Sequence, residues 1–413
     1  VTSMLNEIRK LLRSRIVLTL LIAVIALSVY EGAAYGRRQI KSGEIFSDTD
    51  VYLTQELYQS VTQTVDEIFS AFDFSQMYYI EAIGKAYPAG EIMRLSNSVR
   101  NAIQVERQRQ FAMELALFNI REIEERGERG YWLRYNRMVY EHYLYLPEPH
   151  LMETLTWESL LARISNELEV WNKWYILPML AAMMASATLF AMEHESSVYL
   201  IVHASRNGRS CLYMKKICAI FIFSLFLTAL YWLIWWIWNI DSFSSNKWLS
   251  APIQSIPGLE LCPFSITLPQ TMLLIIGIQT LLTLFLCLLS ACGALLTQNR
   301  FAGFCVAIAV FGVLFAWYYA AASMHDVTNP FYRITQGQIQ FRQISQIWNP
   351  IYLISPGMYL NNFKMVNIAG LPIPMLFAPS AVALVATALL SVWGKMLSAG
   401  RKYKPKTLIE VTQ

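Results

Sequence analysis

The stretch Glu193-His194-Glu195-Ser196-Ser197-Val198-Tyr199-Leu200-Ile201-Val202-His203-Ala204-Ser205-Arg206-Asn207-Gly208-Arg209-Ser210, closed by Lys215-Lys216, is a charged island between two long apolar runs. A helix needs roughly 20 apolar residues to cross a bilayer, and charge is tolerated where such a run ends. The island therefore marks where the chain leaves the hydrocarbon and turns back into it. Over the whole chain 55% of the 413 residues are hydrophobic and 15% are charged, and the charges avoid the apolar runs. That balance describes an integral membrane protein.

Working outward from the island, six runs qualify as transmembrane helices, at residues 16–35, 173–192, 217–240, 271–296, 302–322 and 373–393. Arg9, Lys10, Arg13 and Arg15 precede the first run, as in a signal peptide. Its apolar length exceeds the roughly 7–15 residues of a cleaved core, which predicts a retained helix. Lys and Arg gather in residues 1–15, in the 193–216 loop, and in the 394–413 tail with Lys395, Arg401, Lys402, Lys404 and Lys406. Positive charge accumulates on cytoplasmic segments, and six spans place all three on one side. The expectation is an all-α, multi-pass protein of the plasma membrane with both termini cytoplasmic. Residues 297–301 form a short cytoplasmic turn, and 241–270 and 323–372 form outer loops.

Residues 36–172 then become a large helical extracellular domain between the first and second spans. Residues 37–172 hold 14 basic and 21 acidic residues, against 19 basic and 8 acidic in the rest of the chain. An acidic exterior and a basic interior suit a membrane whose cytoplasmic leaflet is anionic. Residues 48–72 and 91–125 are poor in Gly and Pro and repeat apolar residues every three or four positions, which predicts two helices. Gly127 and Gly130 end the second, and Pro147 and Pro149 mark a further break. Of the six cysteines only Cys262 falls outside, so no outer disulfide pair is available.

Several catalytic patterns are incomplete. His194-Glu195-Ser196-Ser197-Val198 opens like a zinc helix, but Val198 stands where the second imidazole is required. Glu124-Glu125 with Arg129 has the spacing of a glutamate motif found in intramembrane proteases that cleave beside prenylated cysteines. It lies in a solvated segment, and no span holds a histidine. No Gly-rich loop ends in Gly-Lys-Ser or Gly-Lys-Thr, so this chain has no cradle of that kind for nucleotide phosphates. The span interiors carry no Asp, Glu, Lys or Arg, which argues against a self-powered ion-coupled carrier.

Ser196-Ser197 can cap a short helix carrying Tyr199, Leu200 and Val202, and Ser205-Arg206-Asn207-Gly208 supplies its stop. This segment resembles the coupling helix of ABC-2-type exporter permeases, with a Glu ending the second span, a short interfacial helix, a Ser-Arg turn and a basic entry to the third span. The amphipathic start, the six spans, and the breaks at Trp348-Asn349-Pro350 and Ser355-Pro356-Gly357, similar to those between re-entrant helices before the last span, extend the resemblance over most of the chain. The outer insertion of about 136 residues is a departure from many members and leaves the cargo open.

The resemblance implies a non-catalytic permease subunit that pairs with a second permease, identical or homologous, and with two ABC ATPase subunits. ATP and Mg sit on those partners, with no cofactor on this chain; membrane lipid surrounds it, and no nucleic acid is involved. Glu193 and Glu195 are then expected to meet basic residues of the ATPase, Val198, Tyr199, Leu200 and Val202 to form the docking ridge, and Arg206 and Arg209 to anchor it. Met179, Met183, Met184 and Thr188 on the second span, with Phe315 and Trp317 on the fifth, are the candidate pathway residues for a hydrophobic or amphiphilic cargo such as a peptide, lipid or drug. Trp232, Trp235, Trp236 and Trp238 read as interfacial anchors. The alternative is a membrane sensor or scaffold whose outer domain binds a ligand.

Overall fold

The computed structural model describes residues 2–36, 54–71, 73, 75–146, 175–195, 208–239, 250–256, 259–322, 336–360, 363 and 365–400. The chain is predominantly helical, with two small β-hairpins. Four of its helices are long and apolar enough to cross a membrane, and a fifth span is reached if one sharply bent helix pair counts as one.

That bent pair opens the chain. Helix α1 (Thr2–Arg13) is amphipathic, with Lys10 paired to Glu7 at 2.7 Å and Leu11 buried. It turns by 80° into the apolar α2 (Arg15–Gly36). Ser14 makes the corner, because its N–H donates to Leu11 O while its carbonyl accepts from Leu18 N, so one residue ends the first helix and starts the second.

The region between α2 and the second apolar helix, labelled the insertion after its sequence reading, contains α3 (Gln55–Ala71), strands β1 (Met77–Ile80) and β2 (Lys85–Pro88), the long α4 (Ala89–Glu125) and α5 (Tyr131–Leu144). Of the first helix expected at 48–72, residues 55–71 are helical, and 48–53 lie outside the described residues. The antiparallel β1–β2 hairpin was not anticipated; its turn ends in Gly84 at φ 72°. Gly127, at φ 69°, terminates α4 by donating to Glu124 O, and α5 folds back along it. Ala116, Val139, Tyr143 and Leu146 bury one seam between the two helices, and Arg137 pairs with Glu124.

The apolar bundle comprises α2, α6 (Ile176–Glu195), α7 (Gly208–Asn239), α8 (Leu268–Thr297), α9 (Arg300–Ala322) and α11 (Phe377–Gly400), with α10 (Gln336–Trp348) leading toward the last. The apolar part of α6, Ile176–Met192, is shorter than the other candidate spans. At 1.5 Å per residue it covers about 26 Å, a little under the ~30 Å of hydrocarbon. Helix α8 is the centre, packing on α6, α7, α9 and α11. Gln270 accepts from the N–H of Thr267 to start it, and Gln298 in the left-handed conformation stops it. Asn299 then accepts from Phe301 N and Ala302 N to open α9, so two residues reverse the chain. Small residues let these two helices touch: a Cβ on Gly303 would overlap the backbone of Ala294, and one on Gly293 would sit 3.1 Å from Gly303.

Three of the helices differ in extent from the expected spans. The third apolar helix begins at Gly208 rather than 217, so Arg209, Lys215 and Lys216 belong to its first turns, and residues 196–207 of the loop expected at 193–216 lie outside the described residues. The second runs on to Glu195. The sixth begins at Phe377 rather than 373, because Leu371–Pro374 forms β4, paired with β3 (Met365–Ile368). Ala369 and Gly370, both at positive φ, make the tight hairpin turn that consumes those residues.

Candidate functional site

Helix α6 is held at both ends by polar contacts inside an otherwise apolar bundle. At its start, the fully buried Tyr175 hydroxyl donates to Gln279 O at 2.9 Å and shares hydrogen bonds with Thr228 (3.1 Å) and Thr283 (2.7 Å). The Gln279 side chain extends this cluster, accepting from the Trp232 indole at 2.7 Å and donating to Ile354 O at 3.1 Å. Helices α7 and α8 and the 3-10 turn Pro350–Ile354 are thereby tied to the top of α6. Polar groups in hydrocarbon persist where they satisfy one another.

Trp232 corrects its sequence reading: it is 1% exposed and points into the bundle rather than toward an interface. The indoles of Trp235, Trp236 and Trp238 lie outside the described side chains.

At the opposite end, Lys216 is 3% exposed and donates to Leu189 O at 2.9 Å, with its ammonium 5.1 Å from the Phe190 ring. A cation here satisfies a carbonyl in the second-last turn of α6 and lies against an aromatic face. Tyr213, one turn earlier on α7, packs on Phe190 and across Gly394 of α11. Helix α1 lies against α2, α6 and α7 at this end. The result is a base that joins α1, α2, α6, α7 and α11 near the point where α6 gives way to residues 196–207.

The candidate coupling residues are distributed about that base. Glu193 and Glu195 occupy the last turn of α6, and Arg209 the first turn of α7. Val198, Tyr199, Leu200, Val202 and Arg206 lie outside the described residues. The candidate pathway residues on α6 are core: Met179 and Met183 are fully buried, and Met184 and Thr188 nearly so. Their helix is bonded to α8, where Ser290 donates to Met183 O, and Ser186 of α6 donates to Cys287 O. Thr188 bonds back to Met184 O within its own helix. Phe315 and Trp317 are half-buried on α9, which also packs on α6, and Phe315 stacks on Phe311.

A third constellation joins the insertion to the bundle. Phe363, buried at φ 46°, is surrounded by Tyr135, His142 and Tyr143 of α5, with ring centroids 5.2–6.2 Å away. Its N–H donates to Leu261 O at 2.7 Å, and His142 Nε2 bonds to Cys262 O at 3.0 Å. Arg134 reaches Gly370 O, and Tyr131 reaches Met365 O. Burial lowers the pKa of His142 and pushes the Cys262 thiol up to about 12, so both are neutral at physiological pH. Among the described residues no three His, Cys, Asp or Glu side chains form a group that could hold a metal.

Sequence reasoning missed Tyr175, Gln279, Lys216 and Phe363. A glutamine in an apolar run and a second lysine beside Lys215 were the available signals for two of them. No family model matches the chain, and comparison with curated proteins and with solved structures returns no match.

Proposed function

We propose that this chain is the permease subunit of an ATP-driven exporter, carrying a hydrophobic or amphiphilic cargo across a plasma membrane with energy from separate ABC ATPase subunits. The observation that carries this reading is the base: the amphipathic α1 and the ends of α6 and α7 that residues 196–207 connect pack on one another as a platform. A force applied to that connection is transmitted along α6, which is fixed to its neighbours at both ends. Rigid elements with two packings are the usual carriers of such motion.

In this reading the six apolar helices all span, the termini and the base are cytoplasmic, and the insertion is extracellular. Glu193, Glu195, Arg206 and Arg209 meet the ATPase around the 198–202 ridge, and ATP and Mg are bound by that partner. A second permease subunit completes the complex. The half-buried Phe315 and Trp317 on α9 are the side of the bundle best suited to face cargo, and the α6 methionines support that wall from within.

The test is affinity purification of the full chain from its native membrane in mild detergent, followed by ATPase assay. An accompanying P-loop ATPase whose binding or turnover falls in Glu193→Ala/Glu195→Ala supports the permease. Isolation of the intact chain without any ATPase overturns it.

A further inference from the structure

Helices α3 and α4 enclose a cleft of about 520 Å³ in the insertion, within the size range of small-molecule sites. Its floor is aliphatic, made by the buried Val61 and Val99 and the half-buried Val65 and Ile103. Its α4 wall carries Arg100 and Arg107. These are seven residues apart, two helical turns, and therefore lie on one stripe about 10 Å long.

Acidic residues outnumber basic ones 21 to 14 between residues 37 and 172. Arg109, Arg126 and Arg137 each meet a carboxylate there. Arg100, Arg107, Arg121 and Arg129 are all without an ion pair or hydrogen bond among the described residues, and of these four Arg100 and Arg107 line the cleft. Guanidinium groups recognise carboxylate and phosphate through paired N–H donors. Across the cleft Asp66 lines the α3 wall, also without a partner among the described residues. Its carboxylate disfavours negative charge on that side of the cleft.

We propose that this cleft binds a small amphiphile with a single anionic head, the head held by Arg100 and Arg107 and the aliphatic body laid on Val61, Val65, Val99 and Ile103. Carboxylates and phosphate monoesters share that chemistry. The inference does not depend on an ATPase partner, since it concerns the insertion alone.

The experiment is photolabelling of the full chain in nanodiscs of zwitterionic lipid, using octanoate and octylamine probes that carry a diazirine in the alkyl chain, with peptide mapping by mass spectrometry. Octanoate is expected to label peptides within residues 55–71 and 89–107, to be competed by unlabelled octanoate and by octyl phosphate, and to lose at least tenfold in Arg100→Gln/Arg107→Gln. Competition by octyl phosphate at lower concentration than by octanoate identifies phosphate as the preferred head, and competition only by octanoate identifies carboxylate. Both arginines are exposed, so this variant keeps its fold, and Arg121→Gln/Arg129→Gln serves as the charge-matched control. Ser96→Phe, which fills the cleft and leaves the charges, is expected to abolish the label as well. Equal labelling by the amine, label confined to the apolar bundle, or label unchanged in the Arg100/Arg107 variant overturns the proposal.

Discussion

The indole of Trp232 and the side-chain amide of Gln279 meet at 2.7 Å inside the apolar bundle, and the same amide donates to the Ile354 carbonyl. Replacing Gln279 by Leu leaves a buried N–H and a buried carbonyl without partners. An unsatisfied buried group costs about 1–3 kcal/mol. Gln279→Leu is therefore expected to lower the thermal midpoint of the detergent-solubilised protein by several degrees. Trp232→Phe, which removes the donor with most of the ring volume retained, is expected to cost less. A double variant whose loss equals the sum of the two single losses contradicts the coupling.

Gly303 and Gly312 lie on the same helix but in different surroundings. A Cβ on Gly303 overlaps the Ala294 backbone, whereas one on Gly312 meets nothing within 4 Å. Gly303→Ala is expected to force α8 and α9 apart and to destabilise by about 1–3 kcal/mol, the usual cost of overpacking. Gly312→Ala is expected to be neutral or slightly stabilising, since alanine is the better helix former. Thermal unfolding of the two variants side by side reads this out, and equal midpoints refute the close approach.

His142 gives the docking of the insertion a pH dependence. Burial first, and the nearby Arg109 as well, hold its pKa below the ordinary value near 6.5, while the bond to Cys262 O partly opposes them. The unfolded or undocked chain therefore binds the proton more readily, so the contribution is fully present above about pH 6.5 and is lost as pH falls through the lowered value. Once corrected for the intrinsic slowing of amide exchange toward acid, exchange in residues 131–144 is expected to accelerate between pH 7.5 and 5.5. In His142→Gln, which keeps a donor for the Cys262 carbonyl, the part of that acceleration due to the imidazole disappears. An unchanged pH profile in the variant rules out the histidine as its source.

The positions of the apolar helices were legible because hydrocarbon imposes one rule on twenty residues at a time, and all six apolar runs are helical within a few residues. The start of α7 was not, since Arg209, Lys215 and Lys216 read as loop while Lys216 in fact buries its stem and bonds to Leu189 O. Hydropathy treats every lysine as solvated and misses one that finds a carbonyl. The site was less legible than the fold. Trp232 read as an anchor because tryptophans favour interfaces, and only its partner Gln279, 47 positions away, turns it inward. Such pairings depend on which helices become neighbours, which local sequence does not contain.

The buried lysine also separates two roles that sequence places side by side. Lys215 is half-exposed, whereas Lys216 is buried against α6. Lys216→Met removes a charged hydrogen bond, worth about 1.5–3 kcal/mol, and is expected to lower the melting midpoint. Lys215→Met is expected to leave it within a degree or two. If an ATPase co-purifies, its activity in the Lys216→Met complex should uncouple from the permease before the complex falls apart. Identical melting of the two variants places Lys216 outside the base.

Phe363 combines two opposing terms that substitution can separate. Its ring fills the space among Tyr135, His142 and Tyr143, and truncation of a buried Phe costs about 3–5 kcal/mol. Its backbone at φ 46° lies in the left-handed region, where a Cβ costs about 1–2 kcal/mol relative to glycine. Phe363→Ala keeps the strain and loses the ring, whereas Phe363→Gly loses the ring and releases the strain. Glycine is therefore expected to be the more stable of the two, by about 1 kcal/mol after its larger unfolded-state entropy is counted. Both variants should loosen α5, seen as faster amide exchange in residues 131–144, while leaving exchange in α8 unchanged. Alanine as the more stable replacement, or loosening spread equally over the bundle, excludes Phe363 as the local clasp between the insertion and the helices beneath it.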